Sequence, residues 1–169
     1  MKKTAITFAL FIILILSGCS VQERVSPLIL IDRLTEQSSE IFYDPQYSYF
    51  EGNSFIGFID YKNINNVILK MHTADGNSVK KISVYSSADN KVFELIKLLI
   101  DIYSPKEDCE NILKELTDNT ESFRYSFGKE YSYSLAVTDN SIYFEAFNNN
   151  LSEFTIPDLT LKANDRINY

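Results

Sequence analysis

Two blocks of alternating apolar and polar residues constrain the fold of this chain most. Each block contains three strand-like segments, separated by turn residues such as Asp75-Gly76 and Asp139-Asn140. Five of them show the period-two alternation typical of β-strands, whereas 55–61 is apolar on both alternations, which suggests a strand covered on both faces or one in which Gly57 allows close backbone approach. The segments span 55–61, 67–71, 79–85, 123–127, 131–137 and 142–146. Residues with helical spacing lie between the blocks. Because strands and helices come in runs rather than in βαβ alternation, the order favours an α+β fold over a doubly wound parallel sheet.

The predicted helices begin at recognisable capping sequences. Ser26-Pro27 suits the start of a first helix, whose apolar spacing continues to Ile41 before Asp44-Pro45 ends it. A second helix is predicted after Asp89-Asn90, and Ser104-Pro105-Lys106-Glu107 has the pattern of a capping box that opens a third. The order is therefore helix, three strands, two helices, three strands. We expect a single antiparallel sheet of about six strands with the helices packed on one face.

The first 18 residues have the three-part layout of a secretory signal. Lys2 and Lys3 form a positive start, residues 5–16 are an uncharged apolar run, and small residues precede the expected cleavage point at Gly18. The run is shorter than the roughly 20 apolar residues that a spanning helix needs. The last four residues of this region, Leu16-Ser17-Gly18-Cys19, resemble the lipobox of bacterial lipoproteins.

This resemblance covers only the leader, and it implies cleavage after Gly18 and acylation of Cys19 with fatty acids such as palmitate. Two or three acyl chains anchor a protein stably, whereas one chain, at about 0.8 kcal/mol per buried CH₂, holds it marginally. An uncleaved N-terminal anchor and an ordinary secretory signal with an incidental cysteine are the alternatives. The expected location is the cell envelope. Ser20 resembles the residue that directs lipoproteins to the outer membrane in a Gram-negative source; otherwise the outer face of the cytoplasmic membrane is expected.

Four segments make up the predicted organisation. They are a signal peptide (1–18), the lipidated Cys19 with a short tether (19–26), one globular α+β domain (27–157) and a flexible tail (158–169). Phe154 and Ile156 suit a short edge strand near the end of the domain. With Cys19 acylated, Cys109 is left alone, so no intrachain disulfide is expected and stability must come from the core.

The acidic charge balance excludes some partners. Cleavage removes Lys2 and Lys3 from the 16 basic residues and leaves all 23 acidic ones, so the formal net charge falls from −7 to −9. A chain this acidic, without a local Lys/Arg cluster, is not expected to bind nucleic acid. Anionic lipid headgroups should repel it, so its expected contact with the membrane is through the acyl chains on Cys19.

The residues capable of chemistry do not form a recognisable catalytic or metal motif. His72 is the sole histidine and shares a strand face with Lys70, so it is interpreted as a solvent-side residue. Cys109 falls on the apolar face of the third helix and is interpreted as a core residue. Glu107 and Asp108 belong to an acidic, solvated helix face. We therefore predict no catalytic residue, no cofactor and no metal.

The aromatic content is the feature that these assignments leave unexplained, since the chain has eleven tyrosines and twelve phenylalanines. One group crowds a short stretch that suits either a strand or an ordered loop, and a second lies on the outward alternation of the last strand. Surface tyrosines suit a protein-binding patch. A second core layer beneath the first helix is the interpretation we favour. The residues concerned are Tyr43, Tyr47, Tyr49, Phe50, Tyr143 and Phe147.

The leading functional hypothesis is a non-enzymatic lipoprotein that binds an envelope protein or component, as an inhibitor, an immunity protein or an assembly accessory. One alternative is an envelope hydrolase that uses a pair of carboxylates, which could come from anywhere in the fold. The other is a carrier of a small ligand, which would need an apolar cavity under the helices. A concave pocket with two convergent acids would favour the enzyme, and a shallow aromatic face would favour binding.

Overall fold

In the computed structural model, which describes residues 25–105, 107–118 and 123–151, eight antiparallel strands form one sheet with three helices. The helices are α1 (Pro27–Gln37), α2 (Lys91–Tyr103) and α3 (Cys109–Thr117). The strands are β1 (Ile41–Tyr43), β2 (Tyr49–Glu51), β3 (Ser54–Tyr61), β4 (Ile64–Thr73), β5 (Val79–Ser87), β6 (Phe123–Phe127), β7 (Tyr131–Val137) and β8 (Ser141–Asn148). The predicted α+β class and single antiparallel sheet are confirmed.

The sheet joins two meanders that are separated in the sequence. Strands β3, β4 and β5 follow one another, as do β6, β7 and β8, and the two meanders meet where β5 pairs with β8. This seam runs from the Lys81–Phe147 pair to the Ser87–Ser141 pair. The full order is β1-β3-β4-β5-β8-β7-β6, and β2 also pairs with β3, on the same edge as β1.

One face of the sheet forms the core with the helices. Side chains from α1, α2 and α3 share a single buried cluster with alternate residues of the strands, among them Leu69, Val84 and Phe144. Tyr133 belongs to this cluster, and its hydroxyl donates to the buried Ser104 Oγ at 2.6 Å. Fully burying one such side chain contributes about 1.5–3 kcal/mol. The remaining strand side chains point to the opposite side of the sheet, away from the helices. We call this side the second face.

The first helix is shorter than its apolar spacing predicts. Ser26 caps it as expected, accepting from the Ile29 N–H at 3.3 Å. The helix stops after Gln37 because Ser38 is extended, at φ −144° and ψ 116°. The Ser38 hydroxyl also accepts a local bond from the Glu40 N–H, which competes with helical continuation. Ile41 is buried as a strand residue opposite Tyr61, so the prediction that it belongs to the helix is wrong.

The predicted capping box is also wrong, because the third helix begins at Cys109 and Asp108 caps it. The Asp108 carboxylate accepts from the Asn111 N–H at 3.1 Å. Ser104 belongs instead to the end of the preceding helix. Its N–H and its hydroxyl both donate to the Ile100 carbonyl, at 2.8 and 2.9 Å, and the hydroxyl oxygen accepts from the buried Tyr133 hydroxyl at 2.6 Å rather than from an N–H of a new helix.

Two further differences concern the strands. The count is eight rather than about six, because the aromatic stretch supplies the three-residue strands β1 and β2. The first hairpin turns at Lys62 and Asn63, which adopt φ of 48° and 69°, so the following strand begins at Ile64 rather than at the predicted position 67. The leader with Gly18 and Cys19, the predicted strand at Phe154 and Ile156, and the predicted tail lie outside the described residues. No helix within the described ranges combines the length and apolar character needed to cross a bilayer.

Candidate functional site

The edge of the sheet at β3 is interrupted by a short loop. Strand β1 pairs with one end of β3 and β2 pairs with the other, and residues 44–48 connect them. Asp44 closes this loop. Its carboxylate accepts from the Gln46 N–H at 2.9 Å, its carbonyl accepts from the Ser48 hydroxyl at 2.9 Å, and its N–H donates to the Phe58 carbonyl at 3.3 Å. The interruption is therefore held in place by local hydrogen bonds.

A cavity of about 530 Å³ lies at this interruption. Four aromatic rings and two carboxylates line it, namely those of Phe42, Tyr47, Tyr49, Phe58, Asp44 and Asp60. Phe42 pairs with Asp60 across β1 and β3, whereas the neighbouring pair Ile41–Tyr61 belongs to the core. Because strand side chains alternate between faces, the cavity opens on the second face, away from the helices.

Most of the aromatic residues at this edge are exposed to solvent. We call the four that expose half or more of their surface the aromatic edge: Phe42 (76%), Tyr47 (67%), Tyr49 (50%) and Phe50 (55%). Large apolar side chains that cluster at the surface of a folded chain commonly mark an interaction site. The interpretation as a second core layer is wrong for Tyr47, Tyr49 and Phe50. Phe42 belongs to the same surface. The sequence did not indicate this, because the predicted first helix extended to Ile41 and placed Phe42 at its end.

Strand alternation divides the aromatic stretch between the two faces. Tyr43 is partly buried against the core cluster, and the Phe50 ring meets the core ring of Phe55 edge-on, with centroids 5.0 Å apart. Gly57 lies next to these rings. A Cβ at Gly57 would come within 2.9 Å of the Phe55 ring and 3.7 Å of the Tyr43 ring, which explains the glycine. Only Tyr47 and Tyr49 of the predicted stretch reach the cavity.

The cavity combines negative charge with aromatic surface. Its described lining contains Asp44 and Asp60, both exposed, and no basic side chain. An aromatic ring presents a negative face to a cation, and a concave site lined by one sign of charge concentrates ions of the opposite sign. Sequence reasoning missed both aspartates and Phe58, because only the register of β1 on β3 brings them together.

Tyr143 and Phe147 are not part of this site. Both lie on the second face, as the alternation of β8 predicts, but both are buried. Three strand spacings separate β8 from β3, which is about 14 Å. The Tyr143 ring packs against Tyr85 with centroids 4.6 Å apart. The structure therefore does not unite these two residues with the aromatic edge.

A buried carboxylate that the sequence analysis overlooked lies between them. Glu145 is fully buried and accepts from Lys81 Nζ at 3.0 Å, from Ser83 Oγ at 3.0 Å and from the Tyr143 hydroxyl. Burial and then the nearby Glu145 charge raise the pKa of Tyr143, so its hydroxyl stays protonated and can donate. A glutamate within the otherwise apolar run of β8 was the signal available in the sequence. These contacts fix the register of β8 on β5.

The histidine and the cysteine are placed in structural roles. His72 shares the second face with Lys70 as predicted, but its ring is partly buried and its Nδ1 lies 2.9 Å from Ser54 Oγ. Burial, assisted by Lys81 and Lys70, lowers the pKa of His72 to about 4. Cys109 is buried as predicted, and burial raises the pKa of its thiol to about 12, which keeps it protonated. Within the described ranges, no three His, Cys, Asp or Glu side chains are grouped to hold a metal ion.

Comparison with known proteins finds no family model, no curated sequence and no solved structure that matches this chain. The leader sequence therefore bears on where the protein acts, and the cavity at the aromatic edge bears on what it contacts there.

Proposed function

We propose that this protein is a membrane-anchored bacterial lipoprotein that acts as a non-enzymatic binding module for an envelope protein, with the aromatic edge as its contact surface. The observation that carries the proposal is the exposure of four large aromatic side chains at one edge of the sheet, three of which, Phe42, Tyr47 and Tyr49, line one cavity. An inhibitor, an immunity protein and an assembly accessory would all use such a surface. The lipobox-like residues that end at Cys19 supply the support for anchoring.

The size of the aromatic edge suits a contact centre. Phe and Tyr each bury about 150–250 Å² when fully covered, so covering the exposed parts of four rings removes roughly 400 Å² from water. At about 25 cal/mol per Å², this stabilises a complex by on the order of 10 kcal/mol before the cost of association, about 4–15 kcal/mol, is subtracted. A few aromatic residues of this kind commonly contribute most of the binding energy of an interface.

The short tether restricts where a partner can be. Seven residues, 20–26, separate Cys19 from the first helix and reach at most about 25 Å when extended. An anchored domain would thus stay next to its membrane, and a membrane protein or a periplasmic component close to the bilayer would meet the aromatic edge. We infer that the partner is an envelope protein rather than a distant soluble one.

A hydrolase remains the second candidate because Asp44 and Asp60 line the same cavity. Hydrolysis by a carboxylate pair needs one acid that keeps its proton near neutral pH, and enzymes achieve this by placing the acid in an apolar, buried environment. Both aspartates are exposed to solvent, which weighs against that role. A small-ligand carrier is supported less, since the cavity lies on the face away from the helices rather than under them.

The anchoring part of the proposal is tested by replacing Cys19 with alanine in the full chain. We expect the wild-type protein to incorporate a labelled fatty acid and to sediment with membranes, and the Cys19→Ala variant to do neither. Mass spectrometry of the purified wild-type protein should show acyl chains on an N-terminal cysteine. Membrane sedimentation of the variant at the wild-type level, with no acyl mass on the wild type, would contradict the proposal.

The binding part is tested by site-specific photo-crosslinking of the full chain in its own cells. A photoreactive phenylalanine analogue replaces Tyr47 in one variant and Phe127 in a matched control, since Phe127 is equally exposed (68%) but lies at the opposite edge of the sheet. We expect an adduct with a discrete envelope protein from position 47 and none from position 127.

Tyr47→Ser with Tyr49→Ser should lower recovery of that protein about tenfold, and Phe127→Ser should not. Equal adducts from both positions contradict the proposal; turnover of a cell-wall substrate that Asp44→Asn abolishes would favour the hydrolase.

A further inference from the structure

We propose that the cavity at the aromatic edge receives the cationic end of a basic side chain, an arginine in the first instance, from the partner protein. This inference rests on the proposed function, because it specifies how the same surface recognises its partner. It follows from the composition of the cavity wall, from the way the wall is held, and from the charge of the chain.

The composition of the wall selects against other ligands. An anionic ligand would face the carboxylates of Asp44 and Asp60 in a wall whose described lining includes no basic side chain. A neutral apolar ligand would cover the carboxylate of Asp44 and strip it of water without donating a hydrogen bond to it. A cation satisfies both components of the wall, since it pairs with the carboxylates and lies over the faces of Phe42, Tyr47, Tyr49 or Phe58.

Arginine suits this wall better than other cations. Its guanidinium group is planar, so it stacks on an aromatic ring while its edge donates two hydrogen bonds to a carboxylate. Arginine and aromatic residues are both enriched at the centres of protein interfaces. The cavity, at about 530 Å³, is in the usual size range of ligand pockets and admits the end of a side chain with accompanying water.

The backbone of the wall and the Asp44 side chain are held in place before any ligand arrives. Phe42, Tyr49, Phe58 and Asp60 lie on strands that pair through the backbone. Asp44 is fixed by its bonds to the Gln46 N–H, the Ser48 hydroxyl and the Phe58 carbonyl. A site whose groups are already ordered loses less conformational entropy on binding.

The charge of the whole chain favours the same partner. The formal net charge is −7, and it becomes −9 if Lys2 and Lys3 are removed with the leader. Complementary charge raises the rate at which a basic partner meets an acidic surface and disfavours acidic competitors. A basic side chain at the centre of the partner's contact surface would therefore be guided to the cavity.

The first experiment compares two probes on the full chain in detergent micelles by saturation-transfer NMR. N-acetyl-arginine methylamide carries the guanidinium group, and N-acetyl-citrulline methylamide is its neutral isostere. We expect the arginine probe to bind with a dissociation constant in the millimolar range, about tenfold more tightly than the citrulline probe, with ring-current shifts of its side-chain methylenes. Equal binding of the two probes would overturn the inference.

Matched variants locate the binding. Asp44→Asn with Asp60→Asn should remove the preference for arginine, and the asparagine at position 44 retains a side-chain oxygen that can accept from the Gln46 N–H. Glu36→Gln with Asp139→Asn makes the same change in net charge at exposed positions on other elements and should leave the preference intact. Thermal unfolding midpoints establish that all variants are folded. An unchanged preference in the cavity variant, or an equal loss in the control, would contradict the inference.

A second pair of probes distinguishes a side chain from a free small cation. Choline and its neutral isostere 3,3-dimethylbutan-1-ol test for a quaternary ammonium ligand. Choline binding more than tenfold tighter than the arginine probe would overturn the side-chain assignment. The failure of the proposed function has a different signature, namely no envelope-protein adduct from position 47 while the arginine preference and its loss in the cavity variant persist.

Discussion

His72 and Glu145 show how single polar residues shape the second face of the sheet. Lys81 connects the two residues. It pairs with His72 across β4 and β5, and its Nζ donates to the Glu145 carboxylate at 3.0 Å. Burying a carboxylate costs several kcal/mol, which is offset only when donors surround it, as Lys81, Ser83 and Tyr143 do here. The same burial and the same lysines keep the His72 ring neutral. The second face therefore holds a buried carboxylate beside a histidine ring that stays neutral.

His72 should make the stability of the protein depend on pH below neutrality. Its pKa is lowered to about 4 in the folded chain, whereas the unfolded value is near 6.5. Between these values the unfolded chain binds the extra proton, so the free energy of unfolding falls as the pH drops from about 6.5 to about 4 and the effect levels off below that. His72→Gln should flatten this dependence. The measurement is the urea unfolding midpoint of the wild type and of the variant at several pH values. Both proteins contain the same carboxylates, so subtracting one midpoint from the other at each pH leaves the contribution of His72. Parallel curves for the two proteins would show that His72 is not the group responsible.

At the scale of helices and strands, a local capping sequence predicts a helix start correctly where no contact from a residue distant in sequence engages the capping side chain. Ser26 caps α1 as expected because its hydroxyl accepts from the Ile29 N–H, and no contact with a distant strand is found for it among the described residues. Ser104 has an equally favourable local sequence, yet its hydroxyl is buried, donates to the Ile100 carbonyl and accepts from Tyr133 on a strand 29 residues away. The cap of α3 then falls to Asp108. The start of this helix is thus set by tertiary contacts.

Replacing Asp108 tests this assignment. Asp108→Ala removes the acceptor for the Asn111 N–H and should lower the free energy of unfolding by about 1 kcal/mol. Asp108→Asn keeps an acceptor at the N-cap and should change stability by only a few tenths of a kcal/mol. Urea unfolding followed by far-ultraviolet circular dichroism measures both. An equal loss in the two variants would mean that the carboxylate charge, rather than the cap, matters at this position.

The strands also divide into those that their own residues predict and those that depend on pairing with a distant segment. Most of the six longer strands could be predicted because apolar and polar residues alternate along them, although β3, β7 and β8 are buried on both faces. The three-residue strands β1 and β2 are too short to display a period, and their pairing with β3 depends on register. The cavity follows from that pairing, so Phe58 and Asp60 looked like ordinary strand residues. Tyr47 and Tyr49 could be predicted as unusual, although not as neighbours of two aspartates.

On the scale of the whole molecule, the sheet has a buried centre and an edge joined by fewer residue pairs. The centre is the seam between β5 and β8, where seven residue pairs join the two meanders and the side chains of Val84 and Phe144 are fully buried under the helices. The edge consists of β1 and β2, each with three pairs and with largely exposed residues. Opening the seam separates the two halves of the core, whereas opening the edge exposes little additional apolar surface.

Amide hydrogen exchange should therefore divide the sheet into two classes. We expect the amides of β5 and β8 to exchange only when the whole chain unfolds, so their opening free energy should equal that measured by urea unfolding. Hydrogen-bonded amides of β1 and β2 should exchange through local opening, at least about a hundredfold faster at neutral pH. Low urea concentrations provide the control, because global openings respond steeply to urea and local ones do not.

Saturating arginine probe should slow exchange in β1 and β2 while leaving the seam unchanged, since ligand binding stabilises the closed form of the site it occupies. Uniform protection across β1, β5 and β8 would show that the edge is as tightly held as the seam, and the wall of the cavity would then open only when the core does.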